Sequence, residues 1–577
     1  MSEELSDGSR PESGPGTERP GGYHGPQSWV GDWSGRRASL TPDRVGLVDA
    51  TTGREFTYAE LDRRATRTAR WLDGSGVTAD DGAVDSETSG AAASVGNESA
   101  GGRVAVVSRN RPEVVDLFFA TGKTGGVLAP LSHRLAPPEL AELLSNVDPE
   151  LVVVEEPFAD DVAAAFDREE WTGDCPVRSL AVDGEHTWPA VGPEVPEGVE
   201  ETGYDGPDIA PGDPHLFLHT GGSTGTPKET VISHEALVWN SMNTITAWGL
   251  RPDDVTPLTF PTFHTGGWNV ITIPLFHMGG EVVIAREFDP GQVLSVVEER
   301  GASVLVAVPA VLRMMVEHDR WESTDLSTLR FAKSGGGPCR EAVMDAWWDR
   351  GVDLSQGYGL TECGPNNFAM PEGWPREKAD TVGVANPHVD ARVVDDDGGE
   401  CEAGEIGELE LRSPHAADRY WRAPEESAAT FGTAGTSADR DGSNRDSAGW
   451  VSTGDLARVD EDGYVSIEGR KKNMFVSGGE NVYPAEVEDA IADHPAVAEV
   501  VVVPVPDEQW GQVGRAVVEL ATGGGGGDSL TLEELTGFLD GRLARFKHPK
   551  HLAFVDEMPT SGPSKIDREA VAEEFGE

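Results

Sequence analysis

Short runs of apolar, β-branched residues alternate along most of this chain with longer segments of helical periodicity. Val104–Ser108, Leu151–Val154, Leu216–Thr220, Val282–Ala285 and Val304–Val308 are such runs, bounded by Gly, Pro or charge. Continuous apolar runs suit strands buried on both faces of a parallel sheet, where no solvent face imposes alternation. Pro112–Thr121 and Pro137–Asn146 read as crossover helices, each with proline at its first turn. The pattern predicts an α/β fold with doubly wound sheets.

Near residue 450 the pattern changes. Val451–Thr453, Leu456–Val459 and Tyr464–Glu468 flank Asp462-Gly463 and predict a hairpin, part of a small β-barrel-like unit. After Gly469-Arg470-Lys471-Lys472 comes a compact stretch. It predicts a helix near Ala485–Ala492, strands near Glu499–Val503 and Gly514–Leu520, and a helix near Leu532–Leu543. A domain boundary at about 470 gives a large N-terminal domain, 26–469, and a small mobile α+β C-terminal domain, 470–577. Residues 1–25 read as a disordered tail, and Ala79–Gly102, Thr433–Gly449 and Gly523–Gly527 as surface loops.

Composition alters this picture in one respect. The 577 residues carry 46 Lys+Arg against 101 Asp+Glu, a net charge of −55, with the carboxylates spread along the whole chain. That spread fits adaptation to molar salt, as in a halophile. At about 1 M the screening length falls to about 3 Å and self-repulsion is tolerable. So negative a surface disfavours nucleic acid as a partner. Cys175, Cys339, Cys363 and Cys401 lie far apart, neither a zinc framework nor a disulfide scaffold, which suits a reducing cytoplasm. No apolar run approaches the roughly 18 residues of a membrane span, and the N-terminus lacks the basic and apolar regions of a signal peptide. The expected location is cytoplasmic.

The segment richest in chemistry is His219-Thr220-Gly221-Gly222-Ser223-Thr224-Gly225-Thr226-Pro227-Lys228, after a strand and ahead of a helix opening near Ser233-His234. Glycines let backbone N–H groups turn toward an anion, hydroxyls add donors, and lysine adds charge. It is not a Walker A loop. Counting from Gly221, the required second glycine falls on Thr226, and Lys228 is followed by Glu229 rather than Ser or Thr.

The segment resembles the phosphate-binding signature T-S-G-T-T-G-x-P-K-G of the adenylate-forming superfamily, which includes acyl-CoA synthetases, adenylation domains and firefly luciferase. It departs with Gly221, Ser223 and Glu229, the last setting a negative charge beside a polyphosphate site. Further family motifs follow in order. Ser334-Gly335-Gly336-Gly337-Pro338 resembles the glycine-rich strand end that approaches adenine. Tyr358-Gly359-Leu360-Thr361-Glu362 matches Y-G-x-T-E. That resemblance implies adenine stacking for Tyr358, an α-phosphate contact for Thr361, and Mg²⁺ holding for Glu362. Ser452-Thr453-Gly454-Asp455 and Gly469-Arg470 match the ribose-binding positions, giving Asp455 and Arg470. Pro559-Thr560-Ser561-Gly562-Pro563-Ser564-Lys565-Ile566 resembles P-x-T-x-x-G-K-I, with Ser564 for Gly. Lysine is scarce here, yet Lys228, Lys472 and Lys565 all occupy motif positions that use a positive charge.

The resemblance implies an AMP-forming acyl-CoA synthetase using ATP, Mg²⁺ and coenzyme A. Lys565 would serve adenylation, Lys472 would be the hinge, and Ser477-Gly478-Gly479-Glu480 would line the CoA tunnel. Phe263-His264-Thr265-Gly266-Gly267-Trp268-Asn269 resembles P-x-F-H-x-x-G, the wall of the acyl site in fatty-acyl-CoA ligases. By that likeness the acid is a medium- or long-chain fatty acid. The pair Gly266-Gly267 would leave volume for an alkyl chain and Trp268 would close it off, while His264 and Trp268 read equally well as packing. A homodimer is compatible with the reading. Two alternatives stay open: an adenylation enzyme for aryl or succinylbenzoyl acids or a carrier-protein thiol, and a non-catalytic AMP-binding paralogue.

Overall fold

The structure is a computed structural model that describes residues 30–79, 101–168, 171, 173, 175–181, 204–220, 228–432, 449–477, 480–507, 510–521, 530–540, 542–543, 545–560 and 566–576. The three stretches expected as a tail and loops at 1–25, 79–102 and 433–449, and the glycine run at 523–527, fall wholly or almost wholly outside these residues.

A seven-stranded sheet organises the N-terminal part. Its order is Arg419–Tyr420, Lys228–Ser233, Pro214–Thr220, Val127–Leu131, Arg103–Val107, Leu151–Glu155 and Val177–Leu180. The strands from Pro214–Thr220 to Val177–Leu180 pair in parallel; Lys228–Ser233 and Arg419–Tyr420 join antiparallel. Side chains alternate between two cores, as strand geometry requires. Val104, Val106, Leu128, Val153, Leu216 and Leu218 face one cluster, while Ala105, Val107, Ala129, Val152, Val154 and Phe217 face the other. Helix Pro112–Thr124 covers the first face and Pro137–Val147 the second, so the sheet is doubly wound. The strand Lys228–Ser233 was not expected. It starts with two charged residues, yet Glu229 to Ser233 are all buried because Pro214–Thr220 and Arg419–Tyr420 flank it.

A four-stranded sheet pairs Arg54–Thr57, Val45–Asp49, Glu281–Ile284 and Val255–Pro257, and a parallel three-stranded sheet pairs Val304–Ala307, Phe331–Ser334 and Leu354–Gln356. Antiparallel strands Asp390–Val394, Ile406–Arg412, Val451–Val459 and Val465–Arg470 form the expected small β unit. Its hairpin turns at Gly463, at φ 84°. From Phe475 onward, strands Phe475–Ser477, Glu480–Val482, Val497–Asp507, Gly511–Leu520 and His551–Val555 form a five-stranded sheet. This lobe packs on hydrophobic clusters drawn entirely from residues 475–575. The helix expected to reach Leu543 stops at Leu539, and Asp540 closes it by donating to the Thr536 carbonyl. Arg340 on the body donates to the Ala498 carbonyl at 2.7 Å, and Arg313 meets Glu499 at 3.2 Å. No helix among the described residues is long and apolar enough to cross a membrane.

Candidate active site at the strand ends

Open α/β sheets bind ligands outside the carboxyl ends of their strands, and Thr220, Gly335–Gly337 and Tyr358–Glu362 end or follow such strands, while Asp455 and Arg470 come from the antiparallel unit. The glycine-rich loop joins Thr220 to Lys228, which pair across two antiparallel strands. Gly221, Gly222, Ser223, Thr224 and Gly225 lie outside the described residues.

Lys228 leads to the first cluster. Its Nζ sits 3.4 Å from Glu426 Oε1 and 5.6 Å from the centre of the Tyr420 ring. The Tyr420 hydroxyl in turn donates to Glu362 Oε1 at 2.8 Å. Tyr420 thus connects a phosphate-loop lysine to the carboxylate assigned to Mg²⁺. Burial and the adjacent Glu362 charge raise the phenol pKa, so Tyr420 stays a donor. Sequence reasoning missed it, since it lies in a two-residue strand with no periodicity to detect. Its pairing with Thr230 beside the loop is what brings it to the site. Among the described residues no group of three or more His, Cys, Asp or Glu could hold a metal. A single carboxylate fits Mg²⁺, which takes few protein ligands and binds mainly through substrate phosphates and water. Thr361 is half-buried beside Glu362.

Glu229 corrects an expectation. Rather than standing beside the phosphates as a charge, its carboxyl is fully buried, and neither oxygen has a partner among the described residues. It lies opposite His219, which is half-buried. Burial raises the Glu229 pKa to about 8, so the group is mostly protonated at neutral pH.

The second cluster gathers the residues expected to bind ribose. Asp455 and Arg470 are register partners on adjacent strands. Asp455 Oδ1 lies 2.8 Å from Arg470 Nε, and Oδ2 accepts from the Tyr358 hydroxyl at 2.5 Å. Arg470 Nη1 also donates to the Thr453 carbonyl. Tyr358 is held above its ordinary pKa by burial and by Asp455. Gly359 is required locally, because a Cβ there would lie 2.2 Å from the Pro365 carbonyl group. Gly335 and Gly337 would meet nothing within 4 Å, which leaves the strand end open for a flat ligand, and Gly336 turns the chain at φ 86°.

The acyl segment departs from what its glycines suggested. A Cβ on Gly267 would be 2.3 Å from the Pro261 carbonyl oxygen, and one on Gly266 would be 2.6 Å from the Phe260 ring. The pair allows close packing and leaves no alkyl volume of its own. Trp268 is a core residue: fully buried, stacked on Phe118 at 4.7 Å, with Nε1 donating to the Thr262 carbonyl at 2.6 Å. His264 is exposed, beside Phe263 at 4.6 Å.

In the C-terminal lobe, Lys472 is exposed and pairs with Glu569 at 2.8 Å. Ser477 is buried where its strand meets Gly511, and Glu480 opens the next strand. Gly478, Gly479 and Lys565 lie outside the described residues.

Sequence comparison agrees with this layout. Residues 94–421 match the AMP-binding enzyme family, and 486–565 match the AMP-binding enzyme C-terminal domain. A feruloyl-CoA synthase from Amycolatopsis sp is 33% identical over 548 residues, 95% of this chain and 99% of that protein. The long-chain-fatty-acid–CoA ligase FadD13 of Mycobacterium tuberculosis is 30% identical over 94% of this chain and 97% of its own. Among solved structures, ATP-bound MatB from Rhodopseudomonas palustris superposes with a TM-score of 0.79 at 29% identity, covering 95% of this chain and 99% of that one. The chain belongs to the AMP-binding enzyme family of the adenylate-forming ligases, and within it the chain is an AMP-forming acid–CoA ligase.

Proposed function

We propose that the enzyme activates a compact, aryl-type carboxylic acid as its adenylate and transfers the acyl group to coenzyme A. The paired clusters Tyr358–Asp455–Arg470 and Lys228–Tyr420–Glu362 are the observation that carries the ligase assignment. They would supply a ribose clamp and a phosphate-and-metal position. The acid follows from the filled glycine pair, which removes the expected alkyl space, and from the feruloyl-CoA synthase likeness. The medium- or long-chain fatty acid expected from the acyl motif loses its structural argument with that space.

In the first half-reaction a carboxylate oxygen attacks the α-phosphorus of ATP and pyrophosphate leaves. Both reactants are anions, so the protein's task is alignment and charge neutralisation. Lys228 and the loop it closes hold the leaving phosphates, Thr361 orients the α-phosphate, and Lys565 bridges carboxylate and phosphate. Glu362, oriented by the Tyr420 hydroxyl, would hold Mg²⁺, which supplies Lewis-acid stabilisation of the phosphate oxygens. Asp455 and Arg470 hold the ribose, and Gly335–Gly337 with Tyr358 frame the adenine.

In the second half-reaction the lobe that begins at about 470 turns about Lys472. That removes Lys565 and presents the segment Ser477-Gly478-Gly479-Glu480 to the CoA thiol. The exposed Lys472–Glu569 pair supports a hinge there, because a solvated ion pair is exchanged at little cost. The test is carboxylate-dependent exchange of labelled pyrophosphate into ATP, followed by CoA-dependent AMP release. Exchange with no acid, aryl or alkyl, refutes the proposal. Exchange without CoA-dependent turnover refutes its second half.

A further inference from the structure

The far end of the acyl segment is held by side chains rather than by its own backbone. Gly266–Val270 form a short π-helix, Ile271 leaves helical geometry at φ −141° and ψ −28°, and a new helix starts at Thr272. A π-turn pairs the Asn269 carbonyl with the N–H of residue 274, and an α-turn pairs the Val270 carbonyl with the same N–H. Residue 274 is proline, which has none. Regular pairing resumes where Leu275 donates to the Ile271 carbonyl at 2.9 Å. Two carbonyls of buried residues are thereby left to partners from elsewhere in the chain. Asn240 Nδ2 donates to the Asn269 carbonyl at 2.6 Å, and Asn366 Nδ2 donates to the Val270 carbonyl at 2.8 Å.

Asn366 belongs to the loop that carries Thr361 and Glu362. The Asn367 N–H donates to the Tyr358 carbonyl at 3.1 Å and so closes residues 358–367 into one turn. Gly364 bends that turn at φ 74°, and its carbonyl accepts from Asn367 Nδ2 at 2.7 Å. Asn366 is itself clamped. Its carbonyl accepts from Asn243 Nδ2 at 2.7 Å and Asn386 Nδ2 at 3.0 Å, and its amide donates to Thr244 Oγ1 at 2.7 Å. All of these side chains are buried. The network is a poor device for stability alone. The Oδ1 atoms of Asn240, Asn243 and Asn386 have no partner among the described residues, and a buried acceptor left unmet is destabilising. What the network secures is placement. The near end of the acyl segment is tied to the body by Asn110, through the Phe260 carbonyl at 2.9 Å and the Thr262 N–H at 2.8 Å. The far end is tied through Asn366 to the Tyr358–Glu362 loop.

We propose that Asn366 is a positioning residue for adenylation: by holding the Val270 carbonyl it fixes the acyl segment against the loop of Thr361 and Glu362, and so aligns the acid's carboxylate with the α-phosphorus. This rests on the ligase reading and on the acyl segment walling the acid. Asn366 lies buried behind both segments and acts through them. Two reactants held on separate segments depend on the tie between those segments, and a misplacement of about 1 Å costs about 10²-fold in rate. An acyl-adenylate carries acid and phosphate already joined, so its transfer to CoA depends far less on that tie.

The experiment compares wild type, Asn366→Leu and the double variant Asn366→Leu with Pro274→Ala in concentrated KCl. It measures kcat and KM for pyrophosphate exchange with the acid that wild type uses best, CoA transfer from the matching acyl-adenylate, and the melting temperature. Asn366→Leu should lower the exchange kcat by about 10- to 100-fold, with the KM for ATP and the transfer rate both within about threefold of wild type. Pro274→Ala returns the N–H that the two carbonyls lack, so the double variant should regain melting temperature without regaining kcat. That split separates placement from mere hydrogen-bond satisfaction. Equal losses in exchange and transfer overturn the proposal, as does a leucine variant with wild-type kcat. A double variant that recovers kcat together with melting temperature overturns it too. If the leucine variant does not fold, Asn366→Ser, too short to reach the Val270 carbonyl, is judged on the same comparison of exchange with transfer. No exchange by wild type with any acid instead overturns the ligase reading, and the two failures are thereby told apart.

Discussion

Replacing Glu229 with glutamine should stabilise this protein in alkaline solution and leave it nearly unchanged in acid. The carboxyl is fully buried, no donor reaches its oxygens among the described residues, and burial alone raises its pKa from 4.5 to about 8. The difference, 8 − 4.5 = 3.5, corresponds to about 5 kcal/mol at 1.36 kcal/mol per pH unit. The sign follows from proton uptake. Below pH 4.5 the group is protonated in both folded and unfolded chains and contributes no pH dependence. Between 4.5 and about 8 the unfolded chain has lost the proton and the folded chain keeps it, so stability falls as pH rises. Above about 8 both are ionised and the full penalty stands. Glutamine keeps the shape and removes the titration. Thermal melts of both proteins in concentrated KCl, at steps from about pH 5 to pH 9, should show the difference in melting temperature growing with pH and levelling above about 8. Taking the difference cancels the other carboxylates. A gap that does not change with pH, or a variant less stable than wild type at the alkaline end, refutes the reasoning.

Three further outcomes are expected. Tyr420→Phe removes the hydroxyl that orients Glu362, and should raise the Mg²⁺ concentration needed for half-maximal exchange by about 10- to 100-fold, the usual effect of losing a partner of a metal ligand; an unchanged Mg²⁺ titration counts against it. Lys565→Ala should slow adenylation by about 10²–10³ while thioester formation from supplied acyl-adenylate falls far less; equal loss in both half-reactions contradicts the assignment. Dialysis from concentrated to dilute KCl should unfold a chain of net charge −55, followed by circular dichroism; an unchanged melting temperature rejects salt adaptation.

What the sequence made legible was whatever has a period or a fixed spacing. The parallel strands read clearly because they are buried on both faces, and Pro112–Thr124 and Pro137–Val147 because proline marks their starts. The strand Lys228–Ser233 was hidden by its charged opening, and Tyr420 by the shortness of its strand. His551–Val555 escaped notice because only its pairing with Gly511–Leu520 makes it a strand. Glycine was ambiguous in principle. Empty volume and close packing both require it, and only the positions of Phe260 and Pro261 show which applies at Gly266 and Gly267. The state of Glu229 was equally beyond reach, because burial belongs to the fold and not to the residue.

Asp455 already has both oxygens engaged, by Tyr358 and Arg470, before any ribose arrives. In the proposed ribose role, a sugar hydroxyl entering there must share or displace one of those donors, so the gain in binding is that of one hydrogen bond exchanged for another. The carboxylate never stands naked in the cleft, and its geometry is set in advance. Such an arrangement favours release of spent AMP at the end of each cycle over tight retention of nucleotide.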